Sequence, residues 1–523
     1  MSTSQEVQDS NSAPIQRNDG VTHAERYLKK LCDKTFLSLW SYPGVYRDQG
    51  RSGLAGDGKE VCDLLVVFEG HVIIFSDKDC AFPNTGDIDL DWSRWFRRAV
   101  EASAKQVWGA ERWINQFPNR LFLDRACTQP FPLTLPAPAS AKFHRIVVAH
   151  DSVERCKQEF GGGSGSLMIT PDITGNAHYT KRVDGGTPFA IGQLDLSRGF
   201  VHVLDDVALR ILLSTLDTVT DFVAYLTQKE HFIKSGQLTG ATGEEDLLAY
   251  YLTCTDGAGG HGFILPEGHD HLVIGEGAWE GFAHSPQRLA QLDVNDISYT
   301  WDRLIESFNG HFFARTQYFA SAPDADNHNQ IMRFLAGEPR TRRRLLSRSL
   351  LEVIHARPKW FRRARVFFPS HPGDPFYVFL VLDQPSDVPY EQYREARRAL
   401  LEAYCMVTKL KYPHALDIVG IATEPASEDM NVSEDAAYFN GREWTSEEQA
   451  QAKGHQREMG LLSDIVMARG TETEYPPLTR TGKLATAKPG AGKLKGRDRN
   501  SPCPCGSGRK LKHCCGKRGG GTL

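Results

Sequence analysis

Two groups of residues in this chain have the types and spacing to do chemistry. The first lies in residues 58–78, GKEVCDLLVVFEGHVIIFSDK. Asp63 opens an apolar run at 64–68, a turn at Glu69-Gly70-His71 follows, and a second run at 72–75 ends in Ser76, Asp77 and Lys78. A carboxylate and a lysine at the ends of buried strands are costly unless they are paired or used. Their use could be phosphodiester hydrolysis, in which carboxylates hold a divalent cation and a lysine stands beside the attacking water and the phosphate. The alternative is an ordinary ion pair between Asp63 and Lys78.

The second group is the tail, NSPCPCGSGRKLKHCCGK. Cys503 and Cys505 are one residue apart, and Cys514 and Cys515 follow after eight more residues. Four thiolates are a tetrahedral zinc set. Gly506-Ser507-Gly508 permits the reversal that brings the two pairs together, and Arg509, Lys510, Lys512 and Lys517 offset the negative charge of a Zn(Cys)₄ centre. So short a segment has almost no core, so zinc would supply its folding energy, on the order of 10 kcal/mol. Two disulfides are the competing reading, and adjacent cysteines disfavour it. The other seven cysteines (Cys32, Cys62, Cys80, Cys127, Cys156, Cys254, Cys405) show no pairing pattern. With no export signal, this implies a reducing, cytoplasmic setting.

These residues need elements to hold them. The two apolar runs, rich in valine and isoleucine and split by a glycine, read as antiparallel strands of a buried sheet. Residues 23–39 carry Tyr27, Leu28, Leu31, Phe36 and Leu39 on one helical face, with Glu25 in the first turn, where a carboxylate complements the helix dipole. Tyr42-Pro43-Gly44 reads as the stop of that helix, and residues 47–58 as a polar loop. A long aromatic helix is expected over 91–117, carrying Glu101, Lys105 and Gln106 near its middle. FHRIVVAH at 143–150 is the next strand, FVHVLDD at 200–206 another, and 208–232 a further helix. Strand, helix, strand in that order implies a crossover connection. GGGSGS at 161–166 lacks a following Lys-Ser/Thr and reads as a connection, not a phosphate loop.

With 523 residues the chain is too long for one core. The reading is a multidomain α/β protein: a polar, disordered leader at 1–21, a mixed sheet flanked by helices at 22–235, a second mixed α/β domain at 236–425, a polar helical segment and basic linker at 426–494, and a zinc knuckle at 495–518. A net charge of -4 argues against a protein that coats nucleic acid with its whole surface, though a local basic patch is compatible with it. Two further polar clusters occur in the second half. Residues 339–365 hold ten basic residues with Trp360 and Phe361 interleaved, which suits phosphates and stacked bases or, alternatively, a solvated helix face paired with acids. His269 and His271 flank Asp270 and suit either a metal or a turn before a strand. No run of 18 apolar residues occurs, so no transmembrane helix is expected.

The first half resembles the PD-(D/E)XK, restriction-endonuclease-like fold, most closely its Mrr and NERD branches. The resemblance rests on a helix with Glu25, Glu60 and Asp63 opening a hydrophobic strand, a second strand ending in x-x-Lys, and a long helix with Gln106; it covers about residues 22–150. It implies a nuclease acting on DNA or RNA, with Asp63 as a ligand of Mg²⁺ or Mn²⁺, Lys78 as the catalytic lysine and Glu25 as an accessory acid. Those families carry Glu-x-Lys where this chain has Ser76-Asp77-Lys78. A hydroxyl is a poor ligand for Mg²⁺. Glu101 could supply the missing acid, Asp77 could do so if a bulge turns it inward, or the domain only binds. The tail over 499–517 resembles the SEC-C motif, first recognised at the end of the SecA motor of bacterial protein export. That resemblance implies structural zinc on Cys503, Cys505, Cys514 and Cys515 and docking to a protein or a ribosome. A non-catalytic zinc-binding adaptor is therefore the alternative to the nuclease.

Overall fold

The computed structural model describes residues 14–49, 58–180, 188–256, 260–317, 325–356, 362–426, 433–467, 470, 472–478 and 510. The chain forms two compact units, one of Met1–Leu289, Ile305–Asp326 and Ala336–Arg340, the other of Ala290–Leu304, Asn327–Leu335 and Thr341–Leu523.

In the first unit, helix α1 (His23–Phe36) leads into strands β1 (Ser41–Arg47), β2 (Lys59–Phe68) and β3 (His71–Lys78). Next come α2 (Ile88–Trp95), a π-helical turn (Phe96–Glu101), α3 (Ala102–Gln116) and β4 (Lys142–Ala149). The unit continues through α4 (Val153–Phe160), β5 (Met168–Thr174), β6 (Ala190–Gln193), β7 (Val201–Leu204), α5 (Asp206–Thr215), α6 (Val219–Lys234), β8 (Leu238–Ala241), α7 (Glu244–Thr253), β9 (Leu272–Ile274) and α8 (Ala278–Ala283). The main sheet has the order β1-β2-β3-β4-β7. Its first three strands are antiparallel, and β4 and β7 then run parallel to β3. The crossover from β3 to β4 passes through α2, the π turn and α3, which satisfies the need for a long connection between parallel strands. A smaller sheet has the order β6-β5-β8-β9.

The hairpin forms because its apolar residues are all removed from water. Leu64 to Phe68 and Val72 to Phe75 are each 5% exposed or less. Each such side chain contributes roughly 1.5–3 kcal/mol on burial, more than a typical polar contact at the strand ends. The two-residue loop Glu69-Gly70 sets the register that pairs Leu64 with Phe75 and Phe68 with His71. Side-chain alternation then divides the carboxylates. Phe75 packs on Phe36 of α1, so Asp77 shares the α1 face; Ser76 bonds to Gln106 of α3, so Ser76 and Lys78 share the other.

Three expectations need correction. Tyr42-Pro43-Gly44 is not the stop of a helix but part of β1, where proline is tolerated because β1 is the outermost strand. The aromatic helix is interrupted by the π turn, and the expected helix over 208–232 is two helices, broken at Leu216 and capped anew by Thr218. The outer carbonyls of β1 are taken by residues read as leader. Arg17 donates to Ser41 O, and Asn18 Nδ2 donates to Pro43 O and Gly44 O. Tyr46 exchanges backbone hydrogen bonds with Phe122.

The second unit takes in parts of α9 (Pro286–Asn295), α10 (Tyr299–Ala314) and α11 (Ala325–Ala336), with α12 (Arg340–His355), β10 (Arg362–Phe367), β11 (Phe376–Leu382), α13 (Tyr390–Lys411), β12 (Asp417–Thr423), β13 (Glu434–Asn440) and α14 (Ser446–Met459). Its sheet has the order β10-β11-β12-β13, with only β11 and β12 parallel. Both units are mixed α/β. Among the described residues no helix is long and apolar enough to cross a membrane.

Candidate functional site

The polar end of the hairpin has two faces. On the α3 side, continuing the register beyond Leu64 and Phe75 sets Asp63 opposite Ser76. Asp63 Oδ2 accepts the backbone N–H of Asp77 at 2.6 Å, and Ser76 Oγ donates to Gln106 Oε1 at 3.1 Å. Burial pushes the Asp63 carboxyl up to about 6; the Asp77 N–H opposes this, and the charges of Asp77 and Glu25 add to it. Glu60, although the residue as a whole is exposed, is pushed up to about 7 by desolvation of its carboxyl and by Asp63 and Glu25. Lys78 shares the face of Ser76 and is exposed, and among the described residues no carboxylate pairs with it. The ordinary Asp63–Lys78 ion pair is therefore not formed.

On the α1 side, Asp77 is bound in another way. Its side chain is 1% exposed, and its Oδ1 lies 2.5 Å from His150 Nε2. His150 Nδ1 lies 2.5 Å from Asp206 Oδ1 at the start of α5. Burial disfavours charge on His150, but the hydrogen bonds to Asp206 and Asp77 outweigh it and push the imidazole up to about 10. His150 follows β4 and Asp206 follows β7, so this ring joins the carboxyl ends of three parallel strands. Asp77 Oδ2 is buried without a hydrogen-bond partner among the described residues. Sequence reasoning considered Asp77 as a cation ligand and missed His150; the signal was a histidine ending the strand FHRIVVAH.

The other candidates are placed apart from this pair or have their own partners. Glu25 Oε2 accepts the backbone N–H groups of Val21 and Thr22, closing a capping box with Thr22 at the start of α1. Glu101 receives Lys105 Nζ at 2.7 Å. It lines a cavity of about 470 Å³ with Lys105, Trp108, Asn176, Tyr179 and Arg198. His269 and His271 are exposed, and their Nδ1 atoms lie against backbone carbonyls of Glu267 and Gly236.

The basic run of α12 turns inward. Arg343 and Arg344 are fully buried; Arg343 pairs with Asp302 at 2.7 Å and Arg344 with Glu472 at 2.9 Å. Arg340 pairs with Asp217, Arg348 with Glu472 and Arg365 with Glu352. These guanidinium groups are paired with carboxylates, as the alternative to phosphate binding expected, but the two central ones are buried where a solvated face was expected. Arg357, Lys359, Trp360 and Phe361 lie outside the described residues.

Among the described residues no three histidine, cysteine, aspartate or glutamate side chains come together to hold a metal. All seven described cysteines are free thiols. Cys503, Cys505, Cys514 and Cys515 lie outside the described residues, so their fit to zinc rests on donor chemistry: four thiolates match the tetrahedral, sulfur-rich sites that zinc occupies.

Comparison with known proteins bears on the same tail. The family model for the SEC-C motif matches residues 499–517. The chain is similar to the protein translocase subunit SecA of a Nitratiruptor species, 40% identical over 62 residues, which are 12% of this chain and 6% of that relative. It is 34% identical over 71 residues to that of Elusimicrobium minutum, covering 12% and 8% of the two chains. It is 47% identical over 47 residues to that of Dichelobacter nodosus, covering 9% and 4%. The chain thus spans less than a tenth of the length of these curated relatives. No solved structure matches. The segment at 499–517 carries a SEC-C motif.

Proposed function

We propose that this protein is a docking protein whose C-terminal cysteine knuckle binds zinc and recruits a partner to two α/β units. One observation carries this: the C-x-C, eight-residue, C-C spacing within the residues that the SEC-C model matches. Cys503, Cys505, Cys514 and Cys515 would hold the ion, and bound zinc supplies the folding energy of a segment with almost no core. The basic residues around it favour an acidic partner surface, and a ribosome is the first to test. The basic run of α12 does not compete for that role, because its arginines are already paired.

The test is zinc content followed by co-sedimentation with purified ribosomes. We expect one zinc per chain, lost in Cys514→Ser/Cys515→Ser, and sedimentation lost with it. Equal sedimentation of wild type and variant would overturn docking through the knuckle, and a chain purified without zinc would overturn the metal.

A second reading is a metal-dependent nuclease of restriction-endonuclease-like fold in a reducing, cytoplasmic setting. Its support is the topology of a helix, three antiparallel strands, a crossover helix and a parallel fourth strand, with Asp63, Glu60 and Lys78 at one end. Asp63 and Glu60 are carboxyls short of a cation, which suits a site for Mg²⁺ or Mn²⁺. Against it stand Ser76 in the acidic position and the commitment of Asp77 to His150. Cleavage of DNA or RNA with Mg²⁺ or Mn²⁺ that is lost in Asp63→Ala would establish this reading; no cleavage with either ion would end it.

A further inference from the structure

Three histidines stand in a diagonal row across the main sheet. The register pairs His71 with Lys142 and Ile73 with His144 on β3 and β4, and Ile146 with His202 on β4 and β7. Each histidine is thus offset by two residues from its neighbour, and all three point to one face. His71 Nδ1 lies 3.0 Å from His144 Nε2, with the ring planes 20° apart and the centroids 5.3 Å apart, so the two rings meet edge to edge. His144 is 4% exposed and His202 is 1% exposed. His144 Nδ1 and both ring nitrogens of His202 are buried without hydrogen-bond partners among the described residues.

The charges that act most strongly on these rings are cations. Lys142 acts on His71, and Lys142 and Arg145 on His144. Lys229 and Lys234 of α6 and Arg145 act on His202. Two of these cations have acid partners of their own, Arg145 in Glu111 and Lys229 in Glu244. A buried imidazole can pair while neutral, as His71 and His144 do through one N–H···N bond. A second proton breaks that bond, and a proton on His202 has no acceptor waiting for it.

We propose that the row His71–His144–His202 is a proton-operated lock on this sheet, shut while the three rings are neutral and released by acid. Burial and the neighbouring cations hold His144 down at about 4, and both His71 and His202 lie below the usual histidine range. The folded state therefore binds fewer protons than the unfolded chain below pH 6.5, and stability falls as the pH drops from there toward 4. For His144 alone, a shift from 6.5 to about 4 multiplies the opening equilibrium about 30-fold between pH 7.5 and pH 5. Glu60, Asp63 and Asp205, whose carboxyls are raised, work in the opposite sense, so the readout must be the difference between wild type and variant.

The experiment is amide hydrogen exchange of the full chain at pH 7.5 and pH 5, corrected for intrinsic rates, with wild type, His144→Phe and His202→Phe. We expect acid to open β4 and β7 in the wild type, expect His144→Phe to shrink the acid response of these strands by about 30-fold, and expect His202→Phe to shrink it in the same direction. Responses equal to wild type in both variants overturn the lock. Should a variant fail to fold, NMR titration of the wild-type histidine rings decides: midpoints well below 6 for His144 and His202 support the lock, and midpoints near 6.5 overturn it.

Discussion

Asp63 and Asp77 stand at the same end of one hairpin, and their fates are opposite. Asp77 faces α1 and finds an imidazole at 2.5 Å. Asp63 faces α3 and finds a backbone N–H, a hydroxyl and two more carboxylates. Strand alternation, not the residue type, decides which acid is neutralised and which is left short of positive charge. A paired buried carboxylate tightens the fold, whereas an unpaired one is a demand that a ligand could meet.

The comparison can be broken hardest on the Asp77 side. His150→Ala leaves Asp77 buried and uncompensated, and we expect a loss of about 3–5 kcal/mol in chemical denaturation at pH 7. The imidazole is raised in the folded state, so its contribution is complete below its unfolded value of about 6.5 and fades as the pH rises through about 10. The gap between wild type and His150→Ala should therefore narrow steadily from about pH 6.5 to about pH 10 and be level above that; an unchanged gap across this range would mean that the ring acts by packing alone.

On the Asp63 side the expected sign is reversed. This carboxyl is raised, so the folded state holds the proton more tightly, and the cost of ionising it is complete above about pH 6 and vanishes below about pH 4. Asp63→Asn should stabilise the protein at pH 8 by about 1–3 kcal/mol, with no difference at acid pH. Destabilisation at pH 8 would show that a cation already serves Asp63 in solution. The smallest effect is expected at Glu25. Its carboxylate closes a capping box, so Glu25→Gln should cost about 0.5–1 kcal/mol. A much larger loss, or a change in the titration of Asp63 beyond that of one removed charge, would tie Glu25 to the acidic cluster as more than a cap.

Much of the main sheet was legible in the sequence because β2, β3 and β4 are short apolar runs whose burial sets their length. The pairing of Ser76 with Gln106 joins a residue noted at the end of the hairpin to one that the resemblance picked out on the long helix. The Asp77–His150–Asp206 chain was not legible, since its members are 73 and 56 positions apart and meet only once β3, β4 and α5 are assembled. The histidine row is hidden for the same reason: each histidine sits singly in its own strand, and only the register lines them up. The arginines of α12 were misleading because composition counts charge without showing which way a helix turns. Arg343 and Arg344 are adjacent in a run that looks solvated, and both are buried against acids from distant segments.

The margin of the sheet at β1 has a consequence for truncated forms. Pro43 has no N–H to offer, the carbonyls of Ser41, Pro43 and Gly44 are occupied by Arg17 and Asn18, and Tyr46 is bonded to Phe122. A strand from another molecule meets no open ladder there. A protein shortened past Asn18 would regain those acceptors and become prone to self-association, so the length of the N-terminal segment is itself a determinant of monodispersity.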